Sequence, residues 1–168
     1  GVAKEYESGL KNIRENPYGF LKFEEEKNLK ELSKTRMVII FRVYACTGPF
    51  LKIPTHYALG QFIQNCLNGE NIKINSSFKV YRSYVFLPDL MNICLKILDS
   101  PLPNGFYLFD ACTNKVEIEE IANLVNKQFD GIPIKRPKIT NPTKSYCGDS
   151  KNFLELANEY SYKITPFE

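Results

Sequence analysis

Tyr18 and Lys22 stand four residues apart in the stretch Asn16-Pro17-Tyr18-Gly19-Phe20-Leu21-Lys22. On an α-helix that spacing puts both side chains on one face, a turn apart. A phenol and an ammonium so placed can act as an acid/base pair. The positive neighbour favours phenolate and draws the tyrosine down from about 10 toward working pH. A phenol tuned in this way can move a proton while a hydride moves elsewhere. The spacing is common by chance in a chain with ten tyrosines, so the surrounding elements must decide whether it carries chemistry. A second candidate is Arg82, set between aromatic and aliphatic residues in an extended run, where a planar guanidinium fork would suit a diphosphate. His56, the one histidine, lies between a Gly-Pro loop and the next helical pattern, and reads either as a substrate contact or as a plain loop residue.

These residues need elements to hold them. Asn16 is a good N-cap and Pro17 a good first helical residue, so a helix is expected from Pro17 to about Ser33, with Tyr18, Leu21, Leu29 and Leu32 roughly on one stripe. Val2–Glu15 reads as a polar loop leading to that cap. The run Met37–Tyr44 is almost continuously β-branched and aromatic, which predicts a strand buried on both faces and a parallel sheet. Gly48-Pro49 ends it in a loop at the carboxyl edge, where open parallel sheets bind ligands. Further along, the pattern predicts a helix over Tyr57–Leu67, a short strand at Ile72–Ile74 and an extended segment at Val80–Leu87. Asp89 is read as the cap of a helix over Leu90–Leu98. A strand at Phe106–Phe109 and a helix over Ile118–Phe129 follow, and then a loop-rich tail with a helix near Ser150–Asn158.

Composition narrows the class. The chain has 168 residues, 43% of them hydrophobic, enough for one sizeable core. A net charge of +3, with acidic runs such as Glu24-Glu25-Glu26, gives no phosphate-tracking stripe, so nucleic acid is not expected as a partner. Five scattered cysteines and a lone histidine offer no metal-ligand spacing. They read as reduced thiols in a cytoplasmic protein, with no metal and no membrane span. The chain begins with Gly1 and not Met, and reads as a possible fragment.

In order, the chain carries Tyr18-x-x-x-Lys22, Arg42-Val-Tyr-Ala-Cys-Thr-Gly48-Pro49, Arg82-Ser-Tyr-Val-Phe-Leu-Pro-Asp89, Gly105-Phe-Tyr-Leu-Phe109 and Ile118-Glu-Glu-Ile-Ala122. This series resembles the extended short-chain dehydrogenase/reductases, and within them the NAD-dependent epimerase/dehydratase family acting on nucleotide sugars. The stretch from Ile53 to Ile63, followed by Asn68-Gly69, is similar to bacterial members. The resemblance covers essentially the whole chain but only the carboxyl-terminal part of the family's domain.

No strand with a glycine-rich, pyrophosphate-cradling turn precedes Tyr18, and the family's upstream catalytic Ser/Thr has no counterpart, Ser8 being too close to the tyrosine. Where many members have a substrate-touching Asn, Ala45 stands. For the second phosphate contact of some epimerases, Arg136 or Lys138 is only a rough stand-in.

The resemblance implies an α/β fold, the carboxyl-terminal part of a Rossmann-type parallel sheet plus a smaller substrate-binding region. Residues 1–49 would end the dinucleotide-binding domain, and 50–168 would be mainly substrate-binding with returning Rossmann elements. It implies NAD or NADP as cofactor and a nucleotide sugar as substrate. Tyr18 would shift the hydroxyl proton, Lys22 would hold the nicotinamide ribose and tune the tyrosine, and Arg82 would clamp the substrate diphosphate. The net reaction, whether epimerisation, dehydration or keto reduction, stays open. So does a homodimer through the catalytic helix. The chain on its own is expected to be inactive. A non-catalytic nucleotide-sugar or dinucleotide binding protein of the same fold, and a structural or interaction domain, remain the alternative readings.

Overall fold

The computed structural model describes residues 14–49, 51–52, 54–129 and 131–167. The segment read as a leading loop therefore lies, up to residue 13 and with Ser8, outside the described residues. Helix α1 spans Pro17–Leu32, and the Asn16 side chain accepts the Gly19 N–H at 2.9 Å, so cap and proline start it where the sequence puts the start. Strand β1, Met37–Val43, pairs in parallel with β5, Gly105–Ala111, in register from Met37↔Gly105 to Val43↔Ala111.

The parallel pairing agrees with the expectation, but burial on both faces does not. Residues 37–41 are half-buried and Val43 is exposed. Among the described residues β5 is the only strand bonded to β1, which leaves the other edge of β1 open.

The second sheet is built on β4, Phe78–Phe86. Strand β2, Ala45–Thr47, runs parallel to its carboxyl end. Strand β6, Lys115–Glu117, is antiparallel to Tyr81–Ser83, and β8, Asn141–Tyr146, is parallel to its first half. Since β6 and β8 both pair with Tyr81 and Arg82, they occupy opposite edges of β4. The sequence hides β8 in the loop-rich tail because Pro142 interrupts it. A proline is tolerated there because β8 has its hydrogen-bonded neighbour on one side only. A third pairing joins β3, Ile72–Lys73, to β7, Ile134–Lys135.

Adjacent β4 residues point to opposite faces, and two cores result. Tyr84 joins Phe62 of α2, Ala58–Leu67, and Ile121 of α4, Ile118–Lys127. Val85 joins Ile93 of α3, Leu87–Asp99, and Phe153 of α5, Lys151–Glu159.

One cap differs from the reading of the sequence. Helix α3 begins at Leu87 with Pro88 in its first turn, so Asp89 lies inside that turn and is no cap. Its buried carboxylate accepts from Tyr162 Oη, Thr165 N and Thr165 Oγ1, all at 2.9 Å, and pins the chain's tail to α3. Helix α4 is capped by Glu117, which forms a reciprocal capping box with Glu120. No described helix is long and apolar enough to cross a membrane.

Candidate functional site

On the exposed side of α1 the Lys22 ammonium stands 5.8 Å from the centre of the Tyr18 ring. Tyr18 is 60% exposed, so its phenol is open to a ligand. Lys22 Nζ donates to Glu25 Oε2 at 2.8 Å, and this bond and the Glu25 charge hold the ammonium above its usual value. Both partners are solvated, so the pair is loose and Lys22 can exchange Glu25 for hydroxyl acceptors at little cost. Tyr18 and Lys22 share a cleft of about 400 Å³ with Glu26, Arg42, Val43 and Tyr146, set against the carboxyl-terminal half of β1. That end of a parallel pair is where α/β sheets bind ligands.

Two further tyrosines, Tyr57 and Tyr44, lie near Tyr146. Cys46 Sγ and Tyr57 Oη lie 3.6 Å apart; the hydrogen bond between them, then burial and the fields of Cys46, Tyr146 and Tyr18, push Tyr57 up to about 12. Burial, then the Asp110 charge, holds the Tyr44 phenol far above its ordinary value, so it keeps its proton. The Tyr44 ring packs 5.2 Å from that of Tyr146.

Arg82 opens on a second hollow, of about 550 Å³, whose walls also carry Lys73 and Lys144 and, among the described residues, no carboxylate. Three cations without an acid favour a ligand bearing several negative charges. Ser76 lines the same hollow with a buried Oγ that has no hydrogen-bond partner among the described residues. Arg82 Nη1 donates to Tyr81 O at 2.9 Å, and the guanidinium lies 5.9 Å from the Tyr146 ring centre. Tyr146 thus walls the Tyr18–Lys22 cleft while its ring lies beside Arg82, a wall of the second hollow. Sequence reasoning missed it, since its place depends on the pairing of β8 with β4, in which Tyr146 sits opposite Arg82.

His56 ends an exposed 3₁₀ turn and lines neither hollow, although its neighbour Thr55 borders the one at Arg82. Arg136 is not open to a phosphate. It donates to Glu117 and Glu119 and to the carbonyls of Phe78 and Ser76, with its side chain buried. Lys138 is exposed and lines neither hollow. A more apolar cavity of about 420 Å³ lies between α2, α4 and the chain's tail, but Lys127 is the only charged side chain on its described walls, so it offers no proton-transfer pair.

No family model and no curated protein sequence matches the chain. Solved structures do. The UDP-glucose 4-epimerase of Thermotoga maritima, solved with UDP-glucose, superposes with a TM-score of 0.67 at 18% identity, over 89% of this chain and 48% of that one. The dTDP-glucose 4,6-dehydratase of Bacillus anthracis, in complex with NAD, gives 0.68 at 15% identity, over 90% and 48%. The UDP-glucuronic acid 4-epimerase of Bacillus cereus, with UDP-glucuronic acid and NAD, gives 0.66 at 14%, over 89% and 48%. The chain therefore has the fold of a part of these nucleotide-sugar epimerases and dehydratases, as its ordered motifs lead one to expect, and spans about half their length.

Proposed function

We propose that this chain is part of an NAD- or NADP-dependent enzyme that modifies a nucleotide sugar, by epimerisation, dehydration or keto reduction. The observation that carries the reading is the placing of Tyr18 and Lys22 in one open cleft whose wall residue Tyr146 lies beside Arg82 of the cationic hollow. A phosphorylated sugar needs both parts, an anion clamp and a proton-transfer group. In this reading residues 1–49 end the dinucleotide-binding domain and residues 50–168 mainly form the substrate region.

The residues present fit a nicotinamide cofactor at the cleft, since an exposed phenol and an exposed ammonium offer hydroxyl-binding groups side by side. Bound there, a nicotinamide supplies the hydride acceptor or donor. The chain's own part is to move a proton. Tyr18 Oη takes the proton of a sugar hydroxyl or returns it, while Lys22 holds ribose hydroxyls and favours the phenolate. Arg82, with Lys73 and Lys144 beside it, holds the diphosphate and fixes the sugar relative to Tyr18. The chain by itself is inactive in this reading, because nothing in it supplies the glycine-rich turn that cradles a cofactor pyrophosphate.

The test is a panel of UDP- and dTDP-sugars incubated with NAD or NADP and the full-length protein, with products resolved by anion-exchange chromatography. Conversion of at least one sugar is expected. Failure to bind or convert any of them would contradict the reading.

A further inference from the structure

Helix α1 carries the proposed proton-transfer pair, yet Gly19 is its only buried residue, and its Leu21 and Leu32 face solvent. Apolar packing alone therefore holds it weakly. What ties it to the sheet is a two-pronged ion pair. Arg42 Nε of β1 donates to Glu26 Oε1 at 2.8 Å and Arg42 Nη2 to Glu26 Oε2 at 2.6 Å, with the two side chains only 6% and 15% exposed. A fork-to-fork bond of this kind fixes orientation as well as distance. Glu26 lies one helical turn beyond Lys22 and two beyond Tyr18, and all four side chains wall the same cleft.

We propose that Glu26 and Arg42 are positioning residues for proton transfer. Their pair sets the rotation of α1 that presents Tyr18 and Lys22 to the cleft, and it cancels the Arg42 charge beside the phenol. This rests on the reading of Tyr18 as the proton-transfer group. The charged and titratable groups around the pair are Lys22 and Glu25 on α1, Tyr44 after β1, Asp110 of β5, which is the register partner of Arg42, and Tyr146 of β8. The Arg42 field already reaches a neighbouring phenol, since it pulls Tyr44 downward against burial.

Three variants of the full-length protein test the pair, with amide exchange followed by mass spectrometry beside steady-state kinetics. Glu26→Gln should speed exchange across residues 17–32 while leaving α4 unchanged. It should lower kcat by about 10- to 100-fold, as expected for a small misplacement of a reacting group, with little change in KM. In Glu26→Gln/Arg42→Gln, which also removes the unpaired cation, kcat should stay low, which assigns the loss to placement and not to a stranded charge. Glu26→Asp, which keeps the charge but shortens the reach, should fall between and replaces Glu26→Gln if that variant does not fold.

Faster exchange in α1 with wild-type kcat would make the pair a structural tie only, and unchanged exchange with unchanged kcat would remove any role; either result overturns the proposal. Wild-type turnover by a Tyr18→Phe variant would instead sink the underlying reading, while exchange in α1 would still show whether the pair holds the helix.

Discussion

Among the described residues Arg82 is held by one backbone carbonyl and one aromatic face, and it opens toward the hollow shared with Lys73 and Lys144. If it clamps a diphosphate, Arg82→Ala should weaken nucleotide-sugar binding by about 1.5 to 3 kcal/mol, the range for hydrogen bonds to charged groups. Cofactor affinity should change little. Arg82→Lys should recover only part of the loss, because an ammonium cannot make the planar fork. Isothermal titration with UDP decides it, and equal affinity of wild type and Arg82→Ala would take the residue out of the site. Arg82, Tyr18 and Lys22 could be picked out from sequence because their chemistry is local to one helix face or one strand. Tyr146 could not, because its meaning lies in a pairing that brings it opposite Arg82 across 64 residues of chain. His56 ends an exposed 3₁₀ turn beside Thr55, which borders the Arg82 hollow.

At the scale of elements, the junction of β4, β6 and α4 is held by Glu117 and Arg136, both with 7% side-chain exposure. Burial alone would raise the Glu117 carboxyl, but the bonds from Arg136 and from the N–H groups of Val80 and Glu119 outweigh it and hold the group below its usual value. A carboxyl lowered by folding contributes stability that is fully present above its unfolded value of about 4.3 and is lost as pH falls through the folded value. Acid should therefore loosen this junction only below about pH 4.3. Glu117→Gln should destabilise the fold by about 1.5 to 3 kcal/mol at neutral pH, the range for hydrogen bonds to charged groups, since it removes one of the two carboxylates that hold the buried Arg136 guanidinium, and should flatten the acid limb of the stability curve. Chemical denaturation at several pH values measures both, and an unchanged midpoint at pH 7 would refute the assignment.

Helices α1, α2 and α4 were legible from caps and apolar spacing, and β1 from its β-branched run. The start of α3 was misjudged because Pro88 reads as a break, whereas the first turn of a helix has no use for its missing N–H. Nothing local in the sequence tells Arg136, a clamp between Glu117 and Glu119, from a free cation.

The whole molecule has two faces that its own described residues leave uncovered, the free edge of β1 and the Leu21, Leu29 and Leu32 side of α1. Open apolar surface of this kind calls for a covering element. A homodimer through α1 is the expected use of the helix side, so the full-length protein should show twice its chain mass by light scattering, and Leu21→Glu/Leu32→Glu should yield the single mass. A wild-type monomer at micromolar concentration would count against it. Such an arrangement would also shield the helix that bears the proton-transfer pair, which is the point on which the whole account turns. The most direct measurement is kcat of the full-length protein on its nucleotide sugar for wild type and Tyr18→Phe, with a melting temperature for each. Loss of the phenol oxygen should lower kcat by about 10²- to 10⁴-fold, the usual worth of general acid/base catalysis, with melting almost unchanged because Tyr18 is exposed. Turnover at the wild-type rate would contradict the account.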